Sequence, residues 1–134
     1  MGNESKRISC IVIEDNVLAV EMMEDYIGRR DDLELLGIGH ELSDVKFLVE
    51  KHNPSIIFLD LVIPPGESKG YHIGKLPATS TVIVISGVPL SEYRGILPEG
   101  KIYELPKPIS FRSFDTCVNE VLDMRMNYRY GTSI

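Results

Sequence analysis

Cysteine and histidine are scarce in this 134-residue chain, with two and three copies. Cys10 lies inside an apolar run, Cys117 on a helical pattern, and there is no CxxC and no paired-histidine spacing. That excludes a disulfide framework and a zinc site, and both thiols read as reduced core residues. Basic residues are also in the minority, 14 against 20 acids, for a net charge of −6. Such a field repels a phosphate backbone, so nucleic-acid binding by this domain itself is not expected. No window approaches the roughly 18 apolar residues of a membrane span. The opening MGNESKR lacks the apolar core of a signal peptide and has Lys6 where myristoylation needs Ser or Thr. A cytoplasmic protein with no membrane contact is expected.

What is present is 43% hydrophobic residues, enough to bury one core, in a chain with no internal repeat and no low-complexity linker. Glycines and prolines cut it into alternating strand and helix patterns. ISCIVI, Ile8 to Ile13, is apolar almost throughout, as a strand covered on both faces should be. Asn16 then caps a helix with Leu18/Ala19, Met22/Met23 and Tyr26/Ile27 as its apolar stripe, ending near Gly28 to Arg30. Leu33 to Ile38 reads as strand two. Ser43 caps a second helix carrying Val45, Leu48 and Val49, which Asn53 and Pro54 terminate.

Strand three is IIFLD, ending at Asp60, strand four is TVIVIS, Thr81 to Ser86, and strand five is IYEL, Ile102 to Leu105. Weaker helical segments are expected at Gly70 to Leu76 and Pro89 to Leu97. A last helix from Ser110 presents Phe114, Cys117/Val118 and Val121/Leu122, then gives way to a polar tail, NYRYGTSI. The expected boundaries are a lead at 1–7, one domain at 8–126 and a tail at 127–134. Strands alternating with helices imply right-handed crossovers and an open parallel sheet with helices on both faces. Its site should lie beyond the carboxyl ends of the strands.

That edge is rich in oxygen ligands. Strand one ends in Glu14 and Asp15, strand three in Asp60 and strand four in Ser86, and Lys107 follows strand five. Converging carboxylates raise one another's pKa unless a cation neutralises them, and an all-oxygen set favours Mg²⁺. Carboxylates on a metal, one lysine and one hydroxyl suit phosphoryl transfer. Asp60 is then the nucleophile, Ser86 a hydrogen-bond donor to the phosphoryl group and Lys107 a point charge bridging the two. Taken singly, an acid pair also caps helices, Ser86 also caps, and Lys107 is also a plain surface lysine. Their order along one edge favours the site. His40, His52 and His72 fall on loops and helix ends and read as surface residues, and Met22 and Met23 as core.

With the acid pair in IVIEDN, Asp60 in IIFLDLVIP with Pro64 four residues on, Ser86 in VIVISG and Lys107 in LPKPI, the chain resembles the receiver domains of two-component response regulators (the CheY-like superfamily) from Lys6 to Arg125. VLAVEMMEDYIGRR and KPISFRSF resemble most the receivers of LytTR-type regulators. The resemblance implies a three-layer, doubly wound, flavodoxin-like (βα)5 fold with a five-stranded parallel sheet in the order 2-1-3-4-5. It implies phosphorylation of Asp60 by a histidine kinase's phosphohistidine or a phosphotransfer protein, with catalysis only of the domain's own phosphorylation and dephosphorylation. Asp15 would ligate Mg²⁺ directly, Glu14 through water, and the backbone carbonyl of Val62 would join Asp60 as a ligand. The Lys107–Pro108 peptide would be cis. A DNA-binding output domain elsewhere in a longer protein and a homodimer are partners the resemblance leaves open.

Departures from the pattern are also readable. Glu104 stands at the position of the usual aromatic switch residue, with Tyr103 one place earlier, so that Ser86, Tyr103 and Glu104 are the switch candidates. The loop glycine comes late, at Gly70, and predicts a longer loop and a short third helix. Val62 and Val88 are apolar where receivers tune hydrolysis, which predicts a long-lived phosphoryl group. The alternative reading is a pseudo-receiver, an interaction module that does not use phosphorylation. A phosphatase with an aspartate nucleophile would need a second acid where Val62 stands.

Overall fold

The computed structural model describes residues 7–62, 76, 79–93, 97 and 100–129, residues 126–129 as helix backbone only. Five parallel strands, β1 (Ile8–Ile13), β2 (Leu33–Gly39), β3 (Ile56–Asp60), β4 (Thr81–Ser86) and β5 (Ile102–Pro106), form one sheet in the order β2-β1-β3-β4-β5. Every residue of β3 and β4 is buried, because side chains pack over both faces of the sheet's centre.

Strand alternation sends side chains to two separate cores. Cys10, Val12, Phe58, Ile83 and Ile85 pack with α1 (Val17–Gly28) and α3 (Phe111–Arg129). Ile11, Ile13, Ile57, Leu59, Val82 and Val84 pack with α2 (Ser43–His52) on the opposite face. The result is the three-layer, doubly wound flavodoxin-like arrangement in the order expected. Aromatic contacts stiffen the first core: Phe58 stacks on Phe114 with ring centroids 5.6 Å apart, and the Tyr26 hydroxyl donates to the Ile109 carbonyl at 3.1 Å. Burial raises the thiols of Cys10 and Cys117 to about 12 and about 11, and both are free, inert core residues.

Several local expectations are corrected. Asn16 caps α1 through Oδ1, which accepts from Ala19 N at 2.9 Å, but the buried stripe is Val20, Met23 and Ile27. Leu18 is 75% exposed and Met22 only partly buried, because the first turn of α1 lies past the carboxyl end of β1, where the sheet no longer covers it. Ser43 does not cap α2: its hydroxyl donates to Glu41 Oε2, and Asp44 Oδ2 instead accepts from the backbone N–H groups of His40 and Glu41 at 2.8 and 3.1 Å. No side chain caps α2, whose N-cap position is Leu42; Asp44 closes the turn before the helix, its charged oxygen accepting two donors at once.

Asn53 ends α2 in the left-handed region, with φ 46°. The segment expected helical at Pro89 to Leu97 contains a single 3-10 turn, Leu90–Glu92, among its described residues. The short helix expected at Gly70 to Leu76 lies outside the described residues except for buried Leu76, and His72 and Pro64 lie outside them too. α3 is started by a reciprocal pair, Ser110 Oγ accepting from Ser113 N and Ser113 Oγ from Ser110 N. It continues through Asn127, Tyr128 and Arg129, three residues assigned to the tail from sequence. No described helix is long and apolar enough to cross a membrane.

Candidate functional site at the carboxyl edge of the sheet

The parallel register places the site. Ile13 pairs with Leu59 and Asp60 with Ile85, so Glu14, one residue past β1, comes level with Asp60 at the end of β3. Carboxylate oxygens of Glu14, Asp15 and Asp60 all lie within 4.8 Å of one another. Glu14 and Asp60 are each 2% exposed, whereas Asp15 faces solvent. Burial, and after it contact with the Asp60 carboxyl, pushes Glu14 up from 4.5 to about 7, opposed by the Asn16 N–H that its Oε2 accepts at 3.1 Å and by Lys107.

Asp60 is held from two sides. Its Oδ1 accepts from Val62 N at 2.9 Å and its Oδ2 pairs with Lys107 Nζ at 3.0 Å. Lys107 reaches it because its own N–H is anchored to the Ser86 carbonyl at 2.9 Å, which extends the β4–β5 ladder one step beyond β5. The Lys107–Pro108 peptide is cis. Ser86 ends β4 beside this pair, 3% exposed, but its hydroxyl is turned to its own loop: it donates to the Val88 carbonyl at 2.6 Å and accepts from Val88 N at 3.1 Å.

The two expected switch positions on β5 point to different environments. Tyr103 packs against the first core, and burial, with Glu120 and Cys117 nearby, raises its hydroxyl. Glu104 is exposed and its Oε2 accepts from Leu90 N at 3.1 Å, tying β5 to the loop after β4. Val62 and Val88 are exposed at 74% and 48%. One residue that sequence reasoning set aside reaches the site: His40 is on the surface as expected, but its Nδ1 lies 3.1 Å from the Glu14 carbonyl oxygen. A sequence offers no signal for it, since the contact spans 26 residues and depends on the β1–β2 register.

The donor set fits a hard divalent cation. It comprises carboxylate oxygens without imidazole or thiolate, and one of them, on Glu14, is buried against the Asp60 carboxyl, which raises it to about 7. Lys107 supplies one positive charge for three carboxylates, which leaves room for two more.

No protein-family model matches the chain. The transcriptional regulatory protein MalR of Bacillus subtilis is 26% identical over 117 residues, 84% of this chain and 49% of MalR, so the chain spans about half the length of that relative. Among solved structures, the response regulatory domain of protein mrkE from Klebsiella pneumoniae superposes with a TM-score of 0.68 at 19% identity, covering 87% of this chain and 97% of that one. A response regulator receiver domain (CheY-like) from Methylobacillus flagellatus gives 0.63 at 15% identity, with 87% and 99% covered. In strand order, layering and extent, this chain has the response regulator receiver, or CheY-like, fold.

Proposed function

We propose that the chain is a phospho-acceptor switch of two-component signalling, in which Asp60 accepts a phosphoryl group from the phosphohistidine of a sensor histidine kinase or phosphotransfer protein. The observation that carries this reading is the buried Asp60 carboxylate paired with Lys107 inside the Glu14, Asp15, Asp60 cluster. An Asp60 oxygen attacks phosphorus, the P–N bond breaks with its electron pair returning to the donor imidazole, and the new P–O bond leaves an acyl phosphate. Lys107 Nζ, already on Oδ2, follows the charge onto the phosphoryl oxygens. Ser86 contributes a donor once its hydroxyl leaves Val88. Mg²⁺ held by Glu14, Asp15, Asp60 and the Val62 carbonyl would neutralise the charge that accumulates there. The chain is then a signalling domain that catalyses only its own modification, and a DNA-binding output domain is the class of partner that MalR's name suggests.

Incubation with phosphoramidate and Mg²⁺, followed by mass spectrometry, should add one phosphoryl group to the Asp60 peptide and none in Asp60→Asn. Undiminished labelling of the variant would refute the assignment. A second reading, a pseudo-receiver that signals without phosphorylation, is favoured by the engagement of Ser86 with Val88 and of Glu104 with Leu90. It requires that wild-type protein bind no Mg²⁺ in a titration.

A further inference from the structure

The backbone that carries the acid pair is gripped by a loop that the proposed chemistry does not use. Glu14 N donates to the Gly39 carbonyl at 2.9 Å, and the Glu14 carbonyl oxygen meets His40 Nδ1 at 3.1 Å. A carbonyl offers no proton, so Nδ1 must be the donor in this contact. The His40 backbone is fixed in turn by Asp44, whose Oδ2 takes the His40 and Glu41 N–H groups together. Asp44 can come this close because residue 39 is glycine: a Cβ there would lie 2.8 Å from Asp44 Cβ and 3.0 Å from Ile13 Cδ1. Gly39, Asp44 and His40 thus form a chain of contacts that ends on the peptide joining Glu14 to Asp15.

That peptide is planar, so holding its carbonyl oxygen fixes the plane from which the Asp15 side chain departs. Asp15 needs such help. It is exposed, it lies just before the helix cap Asn16, and no side-chain hydrogen bond is present to orient its carboxylate among the described residues. We infer that His40, oriented by Asp44, is a positioning residue for the divalent-cation site, holding the Glu14–Asp15 peptide so that both carboxylates converge with Asp60. This rests on the reading above that the three acids take up a divalent cation.

The test is Mg²⁺ affinity by calorimetry on the whole chain, with exchange of the Glu14 amide, which donates to the Gly39 carbonyl, as a second readout that needs no metal. His40→Ala should weaken Mg²⁺ about three- to tenfold, the range of one net hydrogen bond, and speed Glu14 amide exchange by a similar factor. His40→Asn, whose amide nitrogen can occupy the place of Nδ1, should restore both, and Asp44→Ala should reproduce the His40→Ala loss. A role confined to stability would not distinguish Asn from Ala in affinity. Wild-type affinity in His40→Ala, on a parent that binds Mg²⁺, overturns this inference alone. A parent that binds no Mg²⁺ overturns the functional reading together with it.

Discussion

Replacing Glu14 by glutamine should remove a pH-dependent cost that the acid pocket imposes on the folded chain. Burial beside Asp60 raises the Glu14 carboxyl from 4.5 to about 7. A carboxyl that holds its proton more tightly folded than unfolded contributes stability that is complete below about 4.5 and lost as pH rises through about 7. Two and a half pH units at about 1.4 kcal/mol each set a ceiling near 3.5 kcal/mol. Asp15 and Lys107 leave one side of the pocket open to water, which screens part of this, so about 1.5–2 kcal/mol is expected. Glutamine keeps the shape and an oxygen that can accept from Asn16 N, but carries no charge at any pH.

Urea denaturation in EDTA at a series of pH values from 5 to 8.5 should then show the variant gaining on the parent by that amount, with most of the change between about pH 5 and 7.5. Subtracting one protein's curve from the other's cancels the titration of all other groups. Added Mg²⁺ should reverse the ranking above pH 7, since binding to the native state stabilises the parent and the variant has lost a ligand. A stability difference that is flat across this range, or one that favours the parent as pH rises without metal, would refute the reasoning.

Phe114→Ala removes a fully buried ring stacked on Phe58 and Phe111 and should cost about 3–5 kcal/mol in the same urea assay, with α3 loosened from the sheet. Glu104→Ala deletes the acceptor of Leu90 N, and exchange of that amide should speed up about two- to tenfold while Glu104→Gln stays near wild type. Val62 and Val88 present exposed apolar side chains to the mouth of the site and cannot hold an attacking water, so phosphoryl-Asp60 in purified protein should decay slowly, and a half-life of seconds would contradict this.

The site was legible from sequence because its residues fall at strand ends, and strand ends are where an apolar run meets a charge. Asp60 after IIFL and the Glu14–Asp15 pair after ISCIVI are visible for that reason, and Lys107 follows a short strand with proline on either side. The misreadings have a common origin in ambiguity within one helical turn. Leu18 is as apolar as Val20, and Ser43 has the residue type of a cap although no side chain caps α2. The direction from which the sheet approaches α1 chooses between the first two, and Glu41 draws the Ser43 hydroxyl to itself.

The sequence by itself determined the alternation of elements, the burial of β3 and β4, and which side chains stand at the carboxyl edge, because hydrophobic period and breakers act within a few residues of the chain. The tertiary structure decided what those side chains do to one another. It set the β1–β3 register that brings Glu14 against Asp60, the reach of Lys107 to Oδ2, the turn of the Ser86 hydroxyl toward Val88, the tie from Glu104 to Leu90 and the grip of His40 on the acid pair. Most of these are hydrogen bonds and ion pairs between segments far apart in the chain. Their strength falls off within about an ångström of ideal geometry, so only the assembled sheet can fix them.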